Sequence, residues 1–134
     1  MDELARLVAE RDIERLILDY AAFNDAGDWE AVGATYVAEG RMSRPTAPDE
    51  FIAGRDAIVA AFKARPVRTA RHVCCNIRVQ IEDGGRASAE SQILLFTGPD
   101  KAPLVGSYHD RLVQTPAGWR FAERRGSLDF APSE

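Results

Sequence analysis

Residues that carry chemistry are scarce in this chain. It has two histidines, His72 and His109, and two cysteines, Cys74 and Cys75, among 134 residues. No HxH or ExxH spacing accompanies the histidines, so the sequence predicts no metal site. The cysteines are adjacent, and on a strand their side chains point to opposite faces. They cannot bridge each other or staple a domain of this size, which suits a reducing compartment. Lysine is limited to Lys63 and Lys101, and the net charge is −4. A chain without a basic surplus is not built for nucleic acid, and no such partner is expected. The longest apolar run, Ala57 to Phe62, falls far short of a membrane span. Met1-Asp2-Glu3 opens an acidic amphipathic stretch, without the basic and apolar regions of a leader. These features predict a cytoplasmic protein with no membrane partner. GxGxxG, Walker, HExxH, GxSxG and CxxC motifs are all missing. Any catalysis then falls to general acid–base work by His, Asp or Glu.

What is there is an ordinary globular composition, 46% apolar and 28% charged. It predicts one domain over residues 1–134, with a core large enough to hold an internal pocket. The arginines that cluster at Arg65, Arg68 and Arg71, and at Arg120, Arg124 and Arg125, are read as ion-paired or solvated. Residues Leu4 to Phe23 have helical periodicity, with Ile13, Leu16, Ile17, Tyr20, Ala21 and Asn24 on one stripe. Gly27 is placed to stop that helix and Asp28 to cap a second. The second carries Trp29, Val32 and Tyr36 on one side. Gly40 to Arg44 reads as a short strand, and Pro45 and Pro48 mark a loop. A third helix is expected from Arg55 to Ala64, ended by Pro66.

The period then changes from 3.6 to 2. Strands are predicted over Thr69–Ile81, Ala87–Thr97, Leu104–Gln114 and Trp119–Phe130. Asp83-Gly84-Gly85, Gly98-Pro99-Asp100 and Pro116-Ala117-Gly118 supply the turns between them. Helices followed by an antiparallel meander make an α+β domain, with three N-terminal helices packed on one face of a curved sheet. The other face is expected to hide apolar side chains in a homodimer or homotrimer.

On the first long strand, Val73, Cys75, Ile77, Val79 and Ile81 share an apolar face that should pack on the helices or core. His72, Cys74 and Asn76 have the other parity. A curved sheet crossed by helices leaves a conical cavity, and this polar set could line it; an ordinary half-exposed strand histidine is the alternative. Asp25 follows Asn24, where the buried stripe of the first helix runs out. It is either a carboxylate facing the cavity or a turn aspartate. His109 has the opposite parity to Tyr108 and reads as outward-facing. Asp110 reads as the ion-pair partner of an arginine such as Arg124.

The run Asp25-Ala26-Gly27-Asp28-Trp29 resembles a stretch of the scytalone dehydratases, and His72-x-x-x-Asn76-Ile77-Arg78-Val79 resembles the histidine strand of the hexachlorocyclohexane dehydrochlorinases. Gly106 to Leu112 and Gly118 to Phe121 fit the same group, the SnoaL-like branch of the NTF2-like superfamily. The resemblance implies a cone-shaped α+β barrel, a catalytic Asp25–His72 dyad and an enclosed site for a small, largely apolar molecule. The site would be lined by Tyr20, Asn24, Met42, Phe62, Asn76, Phe96 and Tyr108. It further implies proton abstraction by a lyase or isomerase of the dehydratase, dehydrohalogenase or isomerase type, with no cofactor. The chain departs from the scytalone dehydratases at Phe96 and Asn24, and from the dehydrochlorinases at Met42, so neither substrate carries over. Two other roles fit the same resemblance. One is a ligand-binding NTF2-like protein without turnover. The other is the small subunit of a ring-hydroxylating dioxygenase, suggested also by Arg124-Arg125-Gly126-Ser127-Leu128-Asp129.

Overall fold

The computed structural model of the chain describes residues 1–130. Its first helix, α1 (Glu3–Ala26), begins where the Asp2 carboxylate accepts a hydrogen bond from the Ala5 N–H at 2.7 Å. It ends at Gly27, whose φ of 71° is the left-handed conformation that lets the Gly27 and Asp28 N–H groups close on the Asn24 and Phe23 carbonyls. Asp28 then caps α2 (Trp29–Ala34) through the Ala31 N–H at 3.2 Å. Gly27 and Asp28 therefore act as the sequence predicts. Ala9, Ile13, Ile17 and Tyr20 form the buried stripe of α1, and each large apolar side chain so buried contributes about 1.5–3 kcal/mol.

Tyr36 does not continue α2. It opens a strand, β1 (Tyr36–Arg44), longer than the short strand expected. Pro45 turns the chain into β2 (Ala47–Ala53), and Pro48 lies in that strand rather than in a loop. The sheet order, β2-β1-β6-β5-β4-β3, explains this: β2 is an edge strand, where a missing N–H is tolerated. Helix α3 (Arg55–Lys63) follows and packs on α2, β1 and β2. Strands β3 (Arg71–Glu82), β4 (Arg86–Phe96), β5 (Leu104–Thr115) and β6 (Gly118–Leu128) form the predicted meander. One pairing corrects the all-antiparallel expectation. β1 runs parallel to β6, because the chain enters β1 directly from α2 and returns to its free edge only at the end of the meander.

The six strands curl around one side of α1, and the fold is α+β with a core of α1, α3 and the inner sheet face. The outer face is not uniformly apolar. Val73 pairs with Leu94 and Leu94 with Val105 in one apolar row, but the middle of that face carries the ion pairs Arg78–Glu90 and Arg41–Glu123.

Two bulges set which side chains point inward. Between Cys75 and Arg78 the β3 register shifts, so that Asn76 and Ile77 together oppose Ser91. Asn76 takes φ 52° to do so, a conformation that asparagine tolerates better than most residues. The face expected from strict alternation is therefore broken. Cys74, Ile77, Val79 and Ile81 pack on the core, while Val73 is 42% exposed. A second bulge, between Phe121 and Glu123 opposite Arg111–Leu112, turns Arg124 inward in place of Glu123.

Candidate active site

The last turn of α1 and the first residues of β3 meet at the open end of the curled sheet. There Asp25 Oδ1 lies 2.6 Å from His72 Nδ1, and both carboxylate oxygens lie 3.0 Å from the His72 backbone N–H. Only 9% of the Asp25 side chain and 10% of the His72 side chain is exposed. An ionised carboxylate can only accept, so Nδ1 carries the proton and the Nε2 lone pair is left free. The backbone contact fixes the carboxylate, and the ring contact fixes the tautomer.

His72 lines a cavity of about 460 Å³. Tyr20, Asn24, Met42, Phe62 and Tyr108 line it as well. Two further residues expected there do not. Asn76 is exposed at the bulge, and Phe96 is 38% exposed on the outer face. Leu95 takes the place expected for Phe96, with Ile93 one pleat deeper. The run Ile93-Leu94-Leu95-Phe96 is apolar throughout, so its sequence holds no alternation from which to read the inward face.

Beneath the cavity, Tyr20 and Tyr108 rest on Arg124, whose guanidinium carbon is 4.4 Å and 3.8 Å from their ring centroids. Arg124 is bound by both oxygens of Asp110, at 2.9 and 3.2 Å, with 1% and 0% of the two side chains exposed. Asp110 is thus the partner of Arg124, and Arg124 is core rather than solvated surface. Burial pushes the Asp110 carboxyl up against the pull of Arg124. Burial likewise raises the phenols of Tyr20, Tyr36 and Tyr108. These groups stay neutral donors, and Tyr36 donates to the Tyr20 oxygen at 3.1 Å. His109 lies outside, 45% exposed and 3.3 Å from Glu90.

The sequence reading missed three lining residues. Arg44, Arg65 and Arg68 face the cavity, and none forms an ion pair among the described residues. Arg44 stands two residues past Met42 on β1, so the alternation that places one inward places the other. Arg65 and Arg68 follow α3 in a stretch without periodicity, where nothing in the sequence fixes a direction. Burial lowers the Arg65 pKa, and the charge of Arg44 adds to the effect. Among the described residues no three His, Cys, Asp or Glu side chains gather as a metal site would require, and no helix is long and apolar enough to cross a membrane.

No curated protein sequence matches this chain. Solved structures do. An NTF2-like protein with a cystatin-like fold from Novosphingobium aromaticivorans superposes with a TM-score of 0.86 at 25% identity, over 97% of this chain and 88% of its own. A candidate scytalone dehydratase from the same organism gives 0.81 at 25% identity, over 96% and 91%. A candidate aromatic ring hydroxylase, also from that organism, gives 0.84 at 17% identity, over 95% and 93%, a likeness of fold alone. The SnoaL-like domain model matches residues 5–125, nearly the whole chain. With the three helices, the curled sheet and the cavity at its open end already described, it places this protein in the SnoaL-like family of NTF2-like folds.

Proposed function

We propose that this protein is a cofactor-independent lyase or isomerase in which His72 removes a proton from a carbon of a small molecule held in the cavity. The observation that carries the reading is the buried 2.6 Å contact between Asp25 Oδ1 and His72 Nδ1 beside a cavity of about 460 Å³. Nε2 takes the proton, and the C–H electron pair moves toward an adjacent electron-withdrawing group. In an elimination those electrons form the new double bond as the β-substituent leaves with its own pair. A departing hydroxyl takes the proton back from Nε2 as water. In an isomerisation the same proton returns to a different carbon. Asp25 holds the imidazolium formed in between and keeps its tautomer. A positioned general base of this kind contributes about 10²–10⁴-fold. Met42, Phe62, Ile93, Leu95 and Leu104 give the substrate an apolar body to bind against.

The reading is supported by the similarity to the candidate scytalone dehydratase, a lyase by that description. It is tested by incubating the protein in D₂O with a panel of small cyclic β-hydroxy ketones and carbon acids, and following loss of C–H signal by proton NMR. Deuterium entry or water loss that needs His72 is expected. Turnover that survives unchanged in His72→Ala refutes the assignment.

A further inference from the structure

We propose that Arg44 and Arg65 form a carboxylate-binding subsite of the cavity, so that its ligand is a small organic acid with an apolar body. This names the substrate class for the proton-abstraction reading and rests on it only for the word substrate; the binding claim stands on the arginines themselves.

The chain has more acids than bases, 21 against 17, yet three arginines line this cavity without a carboxylate partner among the described residues. Several arginines elsewhere are paired: Arg41, Arg78, Arg111, Arg124 and Arg125 each sit against a carboxylate. Asp25, beside His72, already accepts from both N–H groups of that residue. Arg44 is held in place by one bond, from Nη2 to the Ala61 carbonyl at 3.3 Å. Its Nε is buried and has no partner at all, a donor left unmade in a site otherwise well satisfied. Arg65 stacks on Phe62 with its guanidinium carbon 4.5 Å from the ring centroid, which leaves its N–H edge free for an acceptor. Burial and the charges of Arg44 and Arg68 lower the Arg65 pKa, against the opposing effect of the Tyr20 and Tyr108 phenols. Two neighbouring guanidinium groups repel each other. A planar anion between them removes that repulsion and satisfies the orphaned Nε, and a carboxylate matches the guanidinium edge in geometry. The apolar side chains on the same walls exclude a bare hydrated ion as the best fit and favour an acid with a hydrocarbon body.

The test uses the whole chain and titration calorimetry with 3-phenylpropanoic acid, its neutral isostere 3-phenylpropanamide, and inorganic phosphate. The acid is expected to bind about tenfold or more tighter than the amide. That preference is expected to fall below about twofold in Arg65→Gln and in Arg44→Gln, and to persist in the outer-face control Arg78→Gln. Arg44 is partly buried, so circular dichroism checks its fold; if Arg44→Gln does not fold, Arg65→Gln and the acid-to-amide ratio decide. Equal binding of acid and amide, or binding of neither, overturns the subsite. So does an acid preference that survives Arg65→Gln. Phosphate binding as tightly as the acid overturns the apolar-acid class. His72→Ala is expected to keep the acid preference while losing turnover. Loss of the preference in that variant assigns the anion to His72 and overturns the subsite, whereas failure of turnover alone touches only the proton-abstraction reading.

Discussion

Replacing Asp25 by asparagine changes few atoms but inverts the hydrogen-bond logic of the site. In the native pair one carboxylate accepts the His72 backbone N–H at 3.0 Å and the ring Nδ1–H at 2.6 Å. An amide has one oxygen. If that oxygen stays on the backbone N–H, the amide NH₂ faces Nδ1, and the ring can accept it only by moving its own proton to Nε2. The nitrogen that faces the cavity then holds a proton and cannot act as a base. Asp25→Asn is therefore expected to lower kcat/KM by about 10²–10⁴, or about 3–5 kcal/mol at 1.36 kcal/mol per decade. His72→Ala is expected to cost about as much, and the double variant no more than His72→Ala alone, because the aspartate acts through the ring. Folding suffers less. The lost charge-assisted bond costs about 1.5–3 kcal/mol, partly offset because a buried charge is removed with it. Turnover by deuterium exchange and thermal unfolding are measured on the same preparations, with His109→Ala as the control, expected within about 0.5 kcal/mol of wild type for an exposed pair. An Asp25→Asn protein of full activity refutes the tautomer argument, and a fully active His72→Ala protein refutes the base.

All three tyrosines are buried with phenols raised above 10.0. Their neutral form is stabilising below that value and costs stability as pH rises above it, so in an alkaline titration tyrosinate absorbance is expected to appear together with loss of circular dichroism; a rise at pH 10 with the fold intact contradicts their burial. Removing Arg124 strands the buried Asp110 charge, and Arg124→Ala is expected to cost about 3–5 kcal/mol in urea unfolding, most of it recovered in the Asp110→Asn/Arg124→Ala double variant. A Cβ at Gly126 would stand 2.5 Å from the Pro45 backbone nitrogen, so Gly126→Ala is expected to destabilise by about 1–3 kcal/mol, and a neutral result there contradicts the close approach of β6 to the β1–β2 turn.

The fold was legible wherever local chemistry and long-range packing agree. Gly27 and Asp28 end one helix and start the next by rules that act over four residues, and the switch from period 3.6 to 2 near Thr69 marks the sheet. What was not legible depends on neighbours distant in sequence. Tyr36 has helical spacing from Val32, but pairing with Phe121 of β6 pulls it into a strand. Pro48 signals a loop, and only the sheet order makes it an edge residue.

The site divides in the same way. The residue pattern left Asp25 open as a turn aspartate and His72 as a half-exposed strand histidine, and the family resemblance paired them; each stands at the end of a regular element, where the period still counts correctly. Past His72 the count fails. The bulge at Asn76 inserts a residue, so Asn76 leaves the interior that strict alternation assigned to it, and Ile77 enters. The bulge also settles a conflict in the sequence. A straight β3 has to choose between burying His72 and Cys74 or burying Ile77, Val79 and Ile81, since the two sets have opposite parity. With one extra residue between them, both face inward. The polar end of the strand can then close the cavity while its apolar end packs on α1. An asparagine, which tolerates positive φ, stands at the residue where this exchange is made.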